Sequence, residues 1–219
     1  MTKYLLGLGL LLLSPWSMAS LAHWQQLYGS TVWDFSVLRK GQQVGQYRLQ
    51  FVGGENDWQV ISELDMNIAI LWWHYDYHYQ AVEQWLGEQL QSLRITINDN
   101  GEQSSQLWQR QGEVLQGPDG RQLALPLWLS HHYDRRVLEQ TQLFNTLTGR
   151  LNRFQLGPIS LAAVHSNGQP LEAQGFAYEG ELHDTQVWYD QRGRWVGLRF
   201  KARDASWIEL RCRRCQVEP

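Results

Sequence analysis

The feature that most constrains the fold is a long alternation of apolar and polar residues between positions 58 and 70. Trp58, Val60, Leu64, Met66, Ile68 and Ile70 alternate with Gln59, Glu63, Asp65 and Asn67. Successive side chains of a β-strand point to opposite faces, so this period of two predicts a strand with one buried face. A strand of about a dozen residues spans roughly 40 Å and must twist and coil. The run therefore favours a barrel or half-barrel over a flat sandwich.

The same alternation recurs along most of the chain, with turn residues between the runs. Strands are predicted at 31–38, 47–51, 73–85, 90–98 and 104–110, and after a gap at 149–156, 161–165, 171–178, 185–189, 195–202 and 207–212. Residues 126–147 lack strict alternation and predict a crossover with a short helix near 134–140. The fold class is therefore all-β: an antiparallel up-and-down meander of about 10–12 strands, coiled into a barrel or half-barrel with one crossover.

The N-terminus has the pattern of a secretory signal peptide. Lys3 is followed by an apolar block at 5–13 and by small residues at Ser17 and Ala19. The block is shorter than the roughly 20 apolar residues that span a bilayer, so we do not expect an integral membrane protein. Residues 1–19 are predicted to be the signal peptide, with cleavage after Ala22 as the alternative. Residues 23–215 are predicted to form a single β-barrel-like domain, and the protein is expected to be periplasmic.

Charge and composition exclude some partners. The formal net charge is −3 and the charged residues are spread along the chain, so no nucleic-acid partner is expected. Basic residues alternate along the C-terminal strands, which favours a solvated sheet face over a phosphate site. We predict no cofactor.

The stretch LWWHYDYHYQ at 71–80 divides into two faces on a strand. Trp73, Tyr75, Tyr77 and Tyr79 share one face, which is either core or the wall of a cavity. The opposite face carries Trp72, His74, Asp76 and His78. Residues four apart on a strand are about 13 Å apart, so at most two of the last three could bind one metal ion. A hydrogen-bonded polar face is favoured, and no metal site is predicted.

The chain contains 12 tryptophans, of which Trp16 lies in the predicted signal peptide. Rings on many strands either fill the inside of a coiled sheet or line an apolar pocket, and the sequence leaves both open. The predicted ligand-binding residues are Trp73, Tyr75, Tyr77, Tyr79, Trp85, Trp188, Trp195 and Trp207.

Two further motifs contain residue types that occur in catalytic, metal-binding or redox sites. The run from Ser130 to Asp134, SHHYD, contains a nucleophile, two imidazoles and an acid, but catalytic groups are brought together by the fold and no nucleophile elbow precedes Ser130. A surface crossover loop is favoured, a metal site with His131 and His132 is the alternative, and no catalytic residue is predicted. Cys212 and Cys215 are predicted to form a local disulfide, because no helix follows them for thioredoxin-type chemistry.

The stretches FSVLRKG at 35–41, NTLTG at 145–149 and WVGLRFKARD at 195–204 resemble an uncharacterised, domain-of-unknown-function family of exported bacterial β-rich proteins. The resemblance covers nearly the whole mature chain. It implies a curved sheet similar to the half-barrels of periplasmic lipoprotein carriers and other lipid-handling proteins, and it implies no activity. The Cys-Arg-Arg-Cys end, and His74 and His78, depart from the family pattern.

Three functional hypotheses follow. The first is a periplasmic protein that binds or carries an apolar small molecule or lipid within its curved sheet. The second is a non-catalytic cell-envelope module that binds a protein partner through a sheet edge or through the crossover. The third is a metal-dependent enzyme with His131, His132 and Asp134, or His74 and Asp76, as ligands.

Overall fold

The computed structural model describes residues 20–70, 72–166, 169–202, 204–213 and 215. Helix α1 (Leu21–Tyr28) precedes a single antiparallel sheet, and a 3-10 helix (Arg135–Glu139) lies between its two halves. The strands are β1 (Val32–Arg39), β2 (Gln42–Gly53), β3 (Asp57–Ile70), β4 (Trp73–Leu86), β5 (Gln89–Asp99), β6 (Glu102–Gln111), β7 (Val114–Gln116), β8 (Gln122–Ala124), β9 (Gln142–Asn145), β10 (Arg150–Ser166), β11 (Gln169–Gly180), β12 (Thr185–Asp190), β13 (Trp195–Lys201) and β14 (Trp207–Cys212).

The sheet consists of two meanders joined side by side. Its order is β8-β7-β6-β5-β4-β3-β2-β1-β14-β13-β12-β11-β10-β9, so the first and last strands of the chain pair at its centre. The crossover, residues 125–141, connects the two outer strands β8 and β9. This arrangement confirms the predicted antiparallel up-and-down meander with one crossover, and in the described residues it has 14 strands.

Helix α1 and the 3-10 helix Arg135–Glu139 are short and capped, and a further 3-10 helix spans Pro118–Gly120. Asp134 accepts a hydrogen bond from the Arg136 N–H at 3.0 Å and begins the 3-10 helix, which lies where the sequence predicted a short helix. Helix α1 was not predicted. Its signal is present in the sequence, because Ser20 is a good N-cap and the buried Leu21, Trp24 and Tyr28 recur at helical spacing. In the part of the chain that is described, no helix has the length and apolarity needed to cross a bilayer.

One end of the curved sheet is filled with aromatic side chains. The Tyr28 hydroxyl donates to the Tyr133 carbonyl at 2.7 Å, and the Tyr28 hydroxyl oxygen accepts the backbone N–H of Trp195 at 3.2 Å. The Trp33 indole donates to the Trp195 carbonyl at 2.8 Å, and the Phe35 ring lies 4.3 Å from the Trp195 ring. Helix α1, the crossover and both halves of the sheet therefore share one core at this end.

The disulfide lies near the same end. Cys212 and Cys215 are paired, their Cα atoms are 5.8 Å apart, and both side chains are buried. The next residue after β14, Arg213, donates its N–H to the Asp34 carbonyl of β1 at 2.8 Å. The disulfide thus closes the C-terminal segment against the seam between β1 and β14.

The hairpin of β3 and β4 extends past its neighbours at the opposite end. β2 pairs with β3 only as far as Met66, and β5 pairs with β4 only from Tyr77 onward, whereas β3 and β4 pair as far as Ile70 and Trp73. Trp72 lies in the turn and is 91% exposed. The sheet therefore has one filled end and one end where a long hairpin stands above the rim.

Candidate ligand cavity and its polar floor

A cavity of about 840 Å³ occupies the other end of the curved sheet. Its walls come from both halves of the sheet and from the segment around β9, and the apolar members are Leu64, Met66, Ile68, Tyr75, Tyr77, Leu143, Leu147, Leu182, Leu198, Phe200, Ala202 and Ile208. This volume lies within the range of about 300–1,000 Å³ that is typical of small-molecule sites. The curvature brings β3 and β13 to opposite sides of one space, although three strands separate them in the sheet.

Charged residues surround the cavity near the strand ends. Arg39 is paired with Asp204 at 2.5 Å, and Lys201 is paired with Asp184 at 2.9 Å. Hydrogen bonds from Ser206 and from Arg39 hold the pKa of Asp204 well below its usual range. Each cation of these two pairs thus has a carboxylate partner.

Tyr75 and Tyr77 are the predicted ligand-binding residues that line this cavity. Tyr79 shares their face but is buried one step deeper and is 2% exposed. The side chain of Trp73 lies outside the described residues. Within the described part, the inward face of β4 therefore contributes two rings to the wall.

The other predicted rings lie elsewhere. Trp85 stacks on Trp58 with ring centroids 5.3 Å apart, and Trp195 is part of the filled core. Trp188 and Trp207 alternate with buried neighbours and so lie on the opposite face of the sheet, where Arg199 stacks on Trp207 at 4.1 Å. These four tryptophans thus pack on one face of the sheet or the other without lining the cavity. The apolar wall of the cavity is largely aliphatic.

The polar face of β4 is exposed, in agreement with the strand alternation. His78 contacts Asp65 at 2.5 Å across the pair of strands, and His74 contacts Asp76 at 2.8 Å. Asn67 donates to the Asp76 carboxylate at 2.8 Å. Among the residues described, no three His, Cys, Asp or Glu side chains are grouped as metal ligands.

The prediction that the run from Ser130 to Asp134 is a surface loop is wrong. His131, His132 and Tyr133 are 3%, 5% and 7% exposed. The crossover runs inside the curve of the sheet because apolar residues on both sides of this run are buried, among them Leu129 and Val137. Burial of these two imidazoles and of the Tyr133 hydroxyl is tolerated because side chains from both halves of the sheet hydrogen-bond to them.

Glu83 is the central partner and is fully buried on β4. One carboxyl oxygen contacts His131 Nδ1 at 2.6 Å. The other accepts hydrogen bonds from the Tyr133 hydroxyl at 2.7 Å and from the Trp85 indole at 3.0 Å. Sequence reasoning missed Glu83, although an acid at an inward position of an alternating strand was an available signal.

The network continues from His131 to the floor of the cavity. His131 Nε2 lies 2.8 Å from the Tyr79 hydroxyl and 3.3 Å from Thr146 Oγ1, and Tyr79 donates to Thr146 at 2.6 Å. Thr146 Oγ1 is 3.1 Å from Ser130 Oγ, and Ser130 lines the cavity. The order is carboxyl, imidazole, hydroxyl, but Thr146 separates Ser130 from the imidazole. The network therefore orients Ser130 and does not place a base against it.

His132 is the second polar residue of the floor. Its backbone is left-handed with φ 57°, and its carbonyl accepts the Tyr189 hydroxyl at 3.0 Å. Its Nδ1 lies 3.2 Å from the Tyr178 hydroxyl. Burial, and then the neighbouring His131, lower the pKa of His132 to about 3, so the imidazole is neutral at physiological pH. Tyr178 of β11 thus holds the neutral ring at the cavity floor, and Tyr189 of β12 holds the backbone of the same residue.

This burial predicts a pH dependence of stability. Between pH 6.5 and about 3 the unfolded chain binds a proton at His132 and the folded chain does not, so stability is lost as the pH falls through this window. From pH 7 to pH 5 the loss is about 2 kcal/mol, or about 4–8 °C in Tm. Thermal unfolding at the two pH values should show a smaller loss for His132→Asn, which does not titrate and tolerates a left-handed backbone. Equal losses in both proteins would contradict the assignment.

The fold and the cavity define an open, β-barrel-like protein with a hollow end. The chain belongs to the family described as Domain of unknown function (DUF6134), whose model matches residues 35–213. This confirms the predicted uncharacterised β-rich family. The crystal structure of a β-barrel-like protein of domain of unknown function DUF1849 from Brucella abortus is similar, with a TM-score of 0.52 and 10% identity, over 83% of this chain and 93% of that chain. At this identity the similarity concerns the fold. A search of the curated proteins found no match.

Proposed function

We propose that this protein binds a lipid-like amphiphile, with the apolar part of the ligand in the cavity between the two halves of the sheet. The observation that supports the proposal is the cavity of about 840 Å³ with a wall of aliphatic side chains, Tyr75 and Tyr77. A soluble domain normally packs its interior to high density, so an apolar space of this size is suited to an apolar occupant.

The magnitudes support binding at useful affinity. Each buried methylene gains about 0.8 kcal/mol, so a chain of about twelve carbons gains on the order of 10 kcal/mol. Association and ordering cost several kcal/mol of that gain. We therefore expect dissociation constants of about tens to hundreds of micromolar for single-chain ligands.

The other two hypotheses have no comparable support. The crossover, which was expected to offer a surface for a protein partner, has His131, Tyr133 and Val137 buried inside the sheet. A metal-dependent enzyme needs converging ligands, and His131 is instead engaged by Glu83, Tyr79 and Thr146. A binding protein is the function that the geometry supports best.

We also propose that the protein acts after export to the periplasm. Residues 1–19 lie outside the described residues, so the signal peptide stays a prediction. Cleavage after Ala19 fits the fold better than cleavage after Ala22. The first keeps Ser20, which caps α1 at 3.3 Å, and Leu21, which is 5% exposed in the core, whereas the second removes both.

The test is ligand binding by the mature protein and a wall variant. Displacement of a fluorescent naphthylamine probe by 1-dodecanol and by lysophosphatidylcholine should give dissociation constants of about tens to hundreds of micromolar. Met66→Trp places an indole in the cavity and should weaken binding at least tenfold, because the indole fills space that the ligand would otherwise occupy. Ala69→Trp on the same strand, at an exposed position, is the matched control and should bind as the wild type does.

Two results would count against the proposal. If neither 1-dodecanol nor lysophosphatidylcholine displaces the probe from the wild-type protein, and native extraction and mass spectrometry recover no amphiphile, the protein does not have this function. Equal loss of binding in Met66→Trp and Ala69→Trp, with unchanged Tm, would place the ligand outside the cavity.

A further inference from the structure

The floor of the cavity contains an imidazole with one ring nitrogen that can make a further hydrogen bond. His132 lines the cavity, is 5% exposed, and has Nδ1 engaged by the Tyr178 hydroxyl. Within the described residues no side chain or backbone group is hydrogen-bonded to its Nε2. Because His132 lines the cavity and Tyr178 engages only its Nδ1, the second ring nitrogen can hydrogen-bond a group that enters the cavity.

We propose that His132 Nε2 hydrogen-bonds an uncharged oxygen of the bound ligand, with Ser130 as the neighbouring hydroxyl. The ligand class is then a single-chain amphiphile with a hydroxyl or carbonyl group, such as a long-chain alcohol or a monoacylglycerol. The proposal rests on the proposed function, and it adds the polar end of the ligand and its place at the closed end of the cavity.

The charges around the floor favour an uncharged group. The neutral imidazole offers no positive charge to a carboxylate. Ser130, Asn145 and Thr148, which also line the cavity, are uncharged. Behind the floor, Glu83 is paired with His131 at 2.6 Å, so this pair offers no free positive charge to an anionic head group. An unpaired charge in such a site costs far more than a neutral hydrogen-bonding group.

The position of His132 is fixed before any ligand arrives. Tyr178 holds its ring, Tyr189 holds its carbonyl at 3.0 Å, and His132 occupies a left-handed backbone conformation that few residues other than glycine adopt. A polar contact that is held in this way loses little conformational entropy on binding. His132 is therefore placed to determine specificity rather than only to fill space.

The experiment compares two ligands of the same chain length, 1-decanol and 1-chlorodecane, in the full mature protein. Wild type should bind 1-decanol about tenfold more tightly than His132→Asn does, because a buried hydrogen bond is lost, while 1-chlorodecane should bind both proteins alike. Asparagine tolerates the left-handed backbone but is too short to replace the imidazole. In ¹⁵N-labelled wild type, the His132 Nε2 resonance should shift on adding 1-decanol and stay in place on adding 1-chlorodecane.

The outcomes separate this inference from the proposed function. If both ligands bind the wild type but His132→Asn weakens them equally, or if 1-decanol leaves the Nε2 resonance unchanged, the role of His132 is overturned and the cavity still binds ligand. If the wild type binds neither 1-decanol nor 1-chlorodecane nor the naphthylamine probe, the proposed function fails and this inference fails with it.

Discussion

Replacing Glu83 with alanine is expected to lower the free energy of unfolding by about 3–5 kcal/mol, the usual cost of breaking a buried polar pair from one side. Three groups lose their acceptor at once: the His131 imidazole, the Tyr133 hydroxyl and the Trp85 indole. All three belong to the interface between β4 and the crossover, and no water can reach Glu83, which is 0% exposed. The loss therefore combines unsatisfied polar groups with a small cavity.

Urea unfolding followed by circular dichroism measures this effect. Glu113→Ala is the matched control, because the Glu113 side chain is 88% exposed and its nearest cation, Arg110, is 3.7 Å away. That variant should change stability by no more than about 0.5 kcal/mol. A Glu83→Ala protein as stable as the control would show that the crossover does not depend on this network.

Replacing Trp195 with alanine is expected to lower the free energy of unfolding by about 3–5 kcal/mol, as large-to-small changes at buried aromatic sites do. Trp195 is 1% exposed, its indole donates to the Gly197 carbonyl at 2.9 Å, and its ring packs against Phe35 and, at 5.3 Å, against Tyr47. The change would open a void in the middle of the filled end. Trp195 does not line the cavity, although its ring centroid lies 6.0 Å from that of His132, so the affinity of the surviving folded protein for 1-chlorodecane, which makes no hydrogen bond to His132, should stay within about twofold.

Trp72→Ala is the control for this substitution. It removes the same side chain from a position that is 91% exposed, so stability should change by no more than about 0.5 kcal/mol. Chemical unfolding of both variants gives the comparison. A Trp195→Ala protein that keeps wild-type stability but loses ligand binding would contradict the packing role and restore Trp195 as a ligand contact.

The strand pattern was predictable because it is local. Alternation at 58–70 and the turn residues between runs depend on neighbouring positions, and the register of β3 on β4 follows from the short turn that connects them. The disulfide between Cys212 and Cys215 was equally local, since three positions separate the cysteines. Helix α1 was not predicted, because its first two residues, Leu21 and Ala22, overlap the alternative cleavage site of the signal peptide.

The candidate site depended on contacts between distant parts of the chain. Glu83 and His131 are 48 positions apart, and Tyr178 reaches His132 across 46. The sequence showed that SHHYD contains polar groups, but only the curvature of the sheet places that segment inside and gives each group a partner. Tyr75 and Tyr77 were predicted to be ligand-binding residues on one face of a strand, but the sequence left open whether that face is core or the wall of a cavity.

The sequence by itself determined an antiparallel meander with one crossover, because alternation and turns act over a few residues and repeat along the whole chain. Only the tertiary structure decided which end of the curved sheet is solid and which is hollow. Helix α1, the crossover and the large rings of Trp33 and Trp195 fill one end, while aliphatic side chains of β3 and β13 face each other across the other. Packing of that kind is a property of volumes brought together in space, which no local pattern encodes.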